Sequence, residues 1–295
     1  MHVKALLKTL TSAAVLSASL TASAAAIVVG GDGFTEQQLL SEMTTQLMVA
    51  NGYDTEKVAG MGTAVLRKAQ ENGQVDLYWE YTGTSLINFN KIKEPMSMAD
   101  GYAKVKELDA AKGMVWLNPS KANNTYALAM QRGESESKGI KTLSDLAAAV
   151  NEGQELTFAA NAEFPARADG LKPLQKAYGF KFKRENIKGM DSGLTYSALK
   201  EGQVDIALVF ATDGRIPAFD FVTLTDDKGY FPAYALTPVV RSEILDANPK
   251  LADLLNDLSG RLDDAVMSSL NAQVDVDKKT IENVATEFLT AQGLL

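Results

Sequence analysis

The sequence of 295 residues contains no cysteine and only one histidine, His2. Without cysteine, the chain can form neither a disulfide bond nor a lipid-anchored cysteine, and it has no thiol nucleophile. His2 lies in an N-terminal segment that we expect to be removed. The remaining chain therefore cannot build a Ser-His-Asp or Cys-His catalytic site, nor a zinc site of cysteine and histidine ligands. We expect no cofactor and no bound metal.

Positive charge is also scarce. The 29 lysine and arginine residues are outnumbered by 37 aspartate and glutamate residues, and the net charge at pH 7 is −8. A chain of this charge is repelled by the phosphates of nucleic acids and by anionic lipid surfaces. The composition therefore favours neither a nucleic acid nor an anionic membrane as the binding partner.

The first 26 residues have the pattern of a secretory signal peptide. Lys4 and Lys8 precede an apolar run, Ala13–Leu20, and the segment ends in small residues. These are the basic, hydrophobic and cleavage regions of such a leader. The apolar run is too short, and too interrupted by serine and threonine, to span a bilayer. We predict that residues 1–26 are a cleaved signal peptide and that the mature chain works in the periplasm.

Helical and strand patterns alternate along the rest of the chain, which favours an α/β fold with central sheets. Residues 64–83 and 194–214 repeat one unit, made of a helical pattern, the tetrapeptide Gly-Gln-Val-Asp and an apolar strand. Five positions after each aspartate lies an aromatic residue, Tyr81 or Phe210. The repeat predicts two similar lobes whose aromatic residues meet if both strand ends face one cleft. A chance similarity is the alternative.

A glycine-rich turn, Gly30–Gly33, precedes the first helical pattern. Thr35 with Gln38 three residues later has the spacing of a capping box. A dinucleotide-binding fingerprint would need a third glycine where Glu36 stands. We therefore predict a tight turn whose free N–H groups line a cleft.

Four aromatic residues lie at predicted strand ends beside polar loop residues: Tyr81, Tyr126, Phe210 and Tyr234. Open α/β sheets bind their ligands at such ends. Each ring alone could be a half-buried packing residue. Together they favour a box of rings around a quaternary ammonium group, which has no hydrogen-bond donor and is held by cation–π attraction.

Arg167 lies just before another predicted helix. Its guanidinium could bind a carboxylate through two parallel hydrogen bonds. The alternative is a surface arginine that pairs with Asp169 or Glu163. An aromatic box with an arginine fits a zwitterion that has a quaternary ammonium head and a carboxylate tail.

Six segments resemble the osmoprotectant-binding proteins of ABC importers, which bind glycine betaine, choline and proline betaine. The resemblance covers nearly the whole mature chain and is greatest to the OsmF (YehZ)-like branch of the ProX and OpuC group. The segments are GFTEQQLLSE from Gly33, DLYWEYTGT from Asp76, NNTYAL from Asn123, EFPARADGLKPLQKAYGF from Glu163, ATDGRI from Ala211 and FPAYALTPVVR from Phe231.

This resemblance implies a type II periplasmic-binding-protein fold, with two α/β lobes joined by two crossovers. Lobe 1 is expected to comprise residues 27–124 and 235–295, and lobe 2 residues 125–234. The resemblance also implies that the four rings form the aromatic box. Thr84, Asn124 and Arg167 correspond to positions that contact or frame the carboxylate end of the ligand.

Two positions depart from the pattern of the family. Asp32 stands in the first glycine turn, where several relatives have a lysine that helps to bind the carboxylate. An acid there would repel a carboxylate and could favour a purely cationic ligand such as choline. Phe210 stands where some relatives have tyrosine, so the ring is kept and the hydroxyl is lost.

The resemblance implies capture of the ligand by closure of the lobes, followed by docking on a membrane permease with an ATPase subunit. We expect a monomer. One alternative is a binding protein for polyamines or amino acids, with Asp32, Glu80 and Asp213 as the acidic groups. Another is a hydrolase that uses Glu80 and Asp213 as a pair of carboxylates.

Overall fold

The computed structural model describes residues 25–295, which form two five-stranded α/β sheets. The predicted signal peptide, residues 1–26, lies outside the described residues except for Ala25 and Ala26. The ten strands are β1 (Ile27–Asp32), β2 (Thr55–Met61), β3 (Leu77–Tyr81), β4 (Met114–Trp116), β5 (Tyr126–Gln131), β6 (Phe158–Ala160), β7 (Ile187–Gly189), β8 (Ile206–Phe210), β9 (Phe221–Thr223) and β10 (Leu236–Arg241).

Helices cover both sheets, as the alternating sequence pattern predicts. The α-helices are α1 (Thr35–Ala50), α2 (Thr63–Glu71), α3 (Thr82–Thr84), α4 (Met98–Ala110), α5 (Arg132–Lys138), α6 (Leu143–Asn151), α7 (Leu171–Tyr178), α8 (Ser192–Lys200), α9 (Arg215–Ala218), α10 (Ser242–Ala247), α11 (Leu251–Gly260), α12 (Asp264–Asp275) and α13 (Ile281–Ala291). Helix α3 continues into a π-helical turn, Ser85–Phe89, and a 3₁₀ turn covers Arg184–Asn186. No helix within residues 25–295 is long and apolar enough to cross a membrane.

The two sheets share one strand arrangement. The first has the order β2-β1-β3-β10-β4 and the second the order β7-β6-β8-β5-β9. In each sheet, three neighbouring strands are parallel, and the fourth strand, β10 or β5, runs antiparallel to its neighbours. Each antiparallel strand comes from the far side of a crossover between the sheets. The prediction of two similar lobes joined by two crossovers is therefore confirmed.

The repeated Gly-Gln-Val-Asp unit has one structural role in both sheets. Each glycine ends a helix in the left-handed region, with φ of +73° at Gly73 and +67° at Gly202, where residues with a side chain are disfavoured. Asp76 and Asp205 then each accept a hydrogen bond of 2.8 Å from a backbone N–H at the start of the neighbouring strand. The unit stops a helix and sets the register of the central strand that follows it, β3 or β8.

The two crossovers between the sheets run side by side. Asn123 and Ala235 form an antiparallel bridge, and the backbone N–H of Asn124 donates to the carbonyl of Tyr234 over 3.3 Å. Because the chain changes sheets in this paired segment, a rotation of one sheet against the other requires backbone changes there. The exact limits of the lobes, 27–124 with 235–295 and 125–234, remain a prediction.

Helix α1 buries one face between the first sheet and the C-terminal helices. Leu39, Leu40, Met43 and Leu47 on this face are fully buried, and α1 packs against α12 and α13. Burial of each such side chain contributes about 1.5–3 kcal/mol relative to exposure. The helix is thereby held firmly against the sheet, with its N-terminus at the end of β1.

The start of α1 differs from the prediction. The N-cap is Phe34, which has no side chain able to cap, and Thr35 is already the first helical residue. The Thr35 hydroxyl donates to Asp275 over 2.9 Å, and the Gln38 amide donates to the carbonyl of Gly33 over 3.2 Å. The predicted capping box is therefore wrong, because a distant acid on α12 binds the hydroxyl.

Candidate functional site

A cavity of about 340 Å³ lies between the two sheets. The carboxyl ends of β1, β3 and β8 reach it, as expected for open α/β sheets. The crossover segments, the loop before α7 and the segments that lead into α2 and α8 also line it. All eight residues predicted to bind the ligand line this cavity: Asp32, Tyr81, Thr84, Asn124, Tyr126, Arg167, Phe210 and Tyr234.

Three of the predicted rings form one cluster. The centroid of the Tyr126 ring lies 5.3 Å from that of Phe210 and 5.7 Å from that of Tyr234, and the Tyr234 ring stands nearly perpendicular to it at 89°. Tyr126 and Phe210 face each other because they are register partners on antiparallel strands β5 and β8. These spacings suit favourable aromatic contacts.

A fifth ring, Phe34, connects Tyr81 to this cluster. The Phe34 centroid lies 5.1 Å from that of Phe210, with the planes 11° apart, and 6.4 Å from that of Tyr81. The sequence reasoning missed Phe34. The available signal was its position two residues after the end of β1, near a strand end as the four predicted rings are.

Two of the tyrosine hydroxyls are occupied by buried carboxylates. The Tyr81 hydroxyl donates to Glu36 over 2.8 Å, and the Tyr234 hydroxyl donates to Asp169 over 2.8 Å. No hydrogen bond to the Tyr126 hydroxyl is formed among residues 25–295, and burial raises the pKa of Tyr126 above its usual value. The hydroxyl hydrogens of Tyr81 and Tyr234 are therefore not available to a ligand, whereas Tyr126 can donate a hydrogen bond as well as offer its ring.

Arg167 belongs to the cavity wall and is paired at the same time. Its Nε and Nη2 donate to the two carboxylate oxygens of Asp169 over 2.7 and 2.8 Å, and Nη2 also donates to the Thr84 hydroxyl over 3.0 Å. Its guanidinium carbon lies 5.0 Å from the Tyr126 ring centroid. Only Nη1 lacks a partner within the described part of the chain. A ligand carboxylate could thus bind Nη1 alone, and the predicted pair of parallel hydrogen bonds is not available.

Asn124 holds other protein groups. Its side-chain N–H donates to Glu36 over 2.8 Å, and its amide oxygen accepts from the backbone N–H of Thr212 over 3.3 Å. Both ends of the amide are therefore engaged at the junction of the lobes. Asn124 frames the cavity, which is one of the two roles that the resemblance implied.

Asp32 meets an acid from the other sheet at the edge of the cavity. Its carboxylate accepts from the backbone N–H of Gly33 and lies 2.8 Å from the Thr63 hydroxyl. The same hydroxyl lies 2.8 Å from Glu163. Because a hydroxyl has a single hydrogen, it can donate to only one of the two acids at a time. Burial raises the pKa of Asp32 to about 6, and the negative charge of Glu163 adds to this shift.

The two acids of the predicted hydrolase are not brought together in this cavity. Glu80 lines it and accepts from the Tyr78 hydroxyl over 2.7 Å, and burial raises the pKa of Glu80 to about 7. Asp213 does not line the cavity and forms an ion pair of 2.6 Å with Arg215. Within residues 25–295, no group of three or more histidine, cysteine, aspartate or glutamate side chains is placed to hold a metal.

A two-lobed α/β protein with an aromatic cavity between its sheets has the architecture of a solute-binding protein. Residues 25–291 match the family described as the substrate-binding domain of ABC-type glycine betaine transport systems. The chain belongs to this family, and its fold is the type II periplasmic-binding-protein fold that the sequence predicted.

Similar proteins and structures extend over almost the whole chain. The glycine-betaine-binding protein of Pseudomonas aeruginosa is 46% identical over 95% of this chain and 92% of its own length. The glycine betaine-binding protein YehZ of Escherichia coli is 33% identical over 92% of each chain. The crystal structure of a glycine betaine/carnitine/choline ABC transporter is 28% identical, with a TM-score of 0.73 over 91% of this chain and 99% of that one.

Proposed function

We propose that this chain is the solute-binding component of an ABC importer and that it captures a quaternary ammonium compound such as glycine betaine or choline. The observation that carries the proposal is the cluster of Tyr126, Phe210 and Tyr234, which adjoins Tyr81 through Phe34 within one cavity. The names of the relatives at 46% and 33% identity support the same ligand class.

The cluster suits a methylated ammonium group for a physical reason. Such a group carries a positive charge but offers no N–H, so a site of hydrogen-bond acceptors gains little from it. Aromatic faces attract the charge and also bury the methyl groups. Each ring contributes about 0.5–2 kcal/mol when the contact is shielded from water. Because Tyr81 and Tyr234 are held by buried carboxylates, little ring motion has to be lost on binding.

Three donors could bind the far end of a zwitterionic ligand. They are Nη1 of Arg167, the hydroxyl of Tyr126 and the hydroxyl of Thr84, which accepts from Arg167 and keeps its own hydrogen. All three line the same cavity as the rings. A carboxylate that reaches them would form charge-assisted hydrogen bonds, which are the stronger kind.

Residues of both sheets line the cavity, so a ligand that touches both favours the closed arrangement of the lobes. We propose that the closed, monomeric protein then docks on a membrane permease whose ATPase subunit drives uptake, and that the protein works in the periplasm after removal of residues 1–26. The chain has no enzymatic role in this proposal.

A second candidate is a binding protein for a polyamine or another small cation. The observation that favours it is the acidic wall formed by Asp32, Glu80 and Glu163, against the single guanidinium of Arg167, which Asp169 already neutralises. A polyamine has N–H donors that these carboxylates would accept.

Calorimetric titration of the refolded, ligand-free protein separates the two candidates. The ligands are glycine betaine, choline, proline betaine and carnitine in one set, and putrescine and spermidine in the other. We expect saturable binding within the first set, and weaker binding by at least tenfold in Phe210→Ala. Binding of the second set alone would replace the proposed function with the polyamine function.

Phe219→Ala is the matched control for this titration. Phe219 is a half-buried phenylalanine of the same sheet region, but it lies outside the cavity and packs on Phe221. The control variant should lose some stability while its affinity stays at the wild-type value. Equal affinities in Phe210→Ala and Phe219→Ala would remove the aromatic cluster as the binding site.

A further inference from the structure

The first turn of α1 is inserted at the junction of the two lobes. Phe34 stacks on Phe210 of the second sheet, and Thr35 donates to Asp275 of α12. The next residue, Glu36, lies behind the cavity wall and is almost completely buried, with 2% of its surface exposed. A buried carboxylate is costly unless it is well hydrogen-bonded, so its partners indicate what this residue does.

Four side chains from four separate segments donate to the Glu36 carboxylate. One oxygen accepts from the Tyr81 hydroxyl and from the Asn124 amide, each over 2.8 Å. The other accepts from the Thr212 hydroxyl and from the Asn271 amide, the latter over 3.1 Å. Burial raises the pKa of Glu36, and these four hydrogen bonds oppose that shift.

Three of the four donors connect Glu36 to the cavity or to the junction of the lobes, and the fourth, Asn271 of α12, also donates to the carbonyl of Thr212 over 3.0 Å. Tyr81 carries a ring that lines the cavity. Asn124 and Thr212 lie where the lobes meet: Asn124 is in the first crossover, and Thr212 follows β8 by two positions. These two residues are also joined to each other by a hydrogen bond of 3.3 Å. Glu36 itself does not line the cavity, so it can act on a ligand only through its partners.

From this geometry we infer that Glu36 is a positioning residue that couples the place of the Tyr81 ring to the closure of the lobes. The inference rests on the proposed function, because it takes Tyr81 as a ligand-contacting ring. A rotation of the second sheet would move Thr212 relative to Glu36, and Asn124 lies in the crossover between them. Loss of a donor from a buried carboxylate is unfavourable, so the arrangement that keeps all four donors together also holds the Tyr81 hydroxyl, and hence its ring, in place.

Glu36→Gln and Tyr81→Phe test the coupling. The glutamine keeps the shape of the side chain but directs an N–H₂ group at donors, and the phenylalanine keeps the ring but loses the hydroxyl. With glycine betaine and choline as probes, we expect each single variant to weaken binding about tenfold. We expect the affinity of the double variant to be no lower than that of the single variant with the lower affinity, because both substitutions break the same hydrogen bond between Glu36 and Tyr81.

Glu42→Gln is the matched control on the same helix. Glu42 pairs with Lys57, away from the cavity, and its substitution should leave the affinity for both probes unchanged. Thr212→Val serves as a second variant, because it removes a single donor and is expected to fold even if Glu36→Gln does not. It should also weaken binding and be non-additive with Tyr81→Phe.

A purely structural role for Glu36 gives a different result. The melting temperature would fall, while the affinity would stay unchanged or the effects of the two substitutions would multiply in the double variant. Either outcome overturns the coupling.

If the wild-type protein binds neither probe, the proposed function fails, and the coupling to closure is judged on the ligand-free protein by small-angle X-ray scattering. We expect a larger radius of gyration in Glu36→Gln than in Glu42→Gln. Equal radii would overturn the inference.

Discussion

We predict that Asp32 makes the choice between zwitterionic and cationic ligands dependent on pH, because it lines the cavity and titrates within an accessible range. Its pKa in this structure is about 6, raised by burial. Asp32 is therefore mostly ionised at pH 7.5 and mostly protonated at pH 5.0. The carboxylate of the ligand, with an ordinary pKa of about 3.5 or lower, stays ionised at both pH values. Acidification thus removes one negative charge from the wall while the charge of the ligand is unchanged.

The cavity volume sets the size of the effect. A sphere of 340 Å³ has a diameter of about 9 Å. Because Asp32 lines this cavity, a betaine bound in it would hold its carboxylate within about that distance of Asp32. Two unit charges at 9 Å with an effective dielectric constant of 20 repel by about 1.8 kcal/mol. Water at the half-buried Asp32 reduces this, and about 1.4 kcal/mol corresponds to a tenfold change in affinity.

The ratio of the glycine betaine Kd to the choline Kd isolates this term. Both ligands carry the quaternary ammonium group, so its attraction to Asp32 cancels in the ratio. We expect the ratio to fall about tenfold from pH 7.5 to pH 5.0 in the wild-type protein, as measured by calorimetric titration. In Asp32→Asn the ratio should have the low value at both pH values, and Asp32→Lys should lower it further.

Two results would refute this reasoning in different ways. An equal ratio at both pH values in the wild-type protein would place Asp32 outside the reach of the ligand. A ratio that still changes with pH in Asp32→Asn would identify Glu80, whose pKa is about 7, as the group that titrates.

Three further predictions concern other contacts of the cavity and the core. Tyr126→Phe removes a hydroxyl that forms no hydrogen bond within the described part of the chain; we expect titration to show several-fold weaker betaine binding with little change for choline, and equal losses for both would contradict the proposed carboxylate contact. Tyr234→Ala removes a fully buried ring together with the hydroxyl that donates to Asp169. Urea unfolding should show that the free energy of unfolding falls by about 3–5 kcal/mol, whereas a fall under 1 kcal/mol would mean that the site relaxes around the gap. Asp109→Asn breaks a buried ion pair of 2.7 Å with Arg67, which should cost about 3–5 kcal/mol. Burial would raise the pKa of Asp109, but the Arg67 contacts outweigh this effect and hold the pKa below its usual range. The stabilisation by this pair is therefore complete above the usual aspartate pKa and is lost as the pH falls through the lowered pKa. A free energy of unfolding that stays constant down to the lowest measurable pH in the wild-type protein would contradict this prediction.

Much of the fold and of the site could be predicted from short stretches of sequence. Gly73 and Gly202 end their helices through their own backbone conformation. Asp76 and Asp205, three residues later, each accept a hydrogen bond from the strand that lies beside theirs in the sheet. Their pattern is therefore visible twice in the chain. The rings of Tyr81 and Phe210 lie at strand ends, and an open α/β sheet places such ends at its ligand-binding edge.

The tertiary structure alone decided how these side chains are held. The four donors to Glu36 lie 45, 88, 176 and 235 positions away in the sequence, and no local pattern marks them. The same holds for Thr35, whose hydroxyl binds an acid 240 positions away in place of capping its own helix. Local periodicity and turn signals depend on neighbouring residues, so the sequence determined the elements and the strand ends that carry the aromatic residues. Hydrogen bonds and ring stacking depend on which segments the fold brings within a few ångströms, so only the folded chain determined the role of Phe34, the pairing of Arg167 and the junction at Glu36.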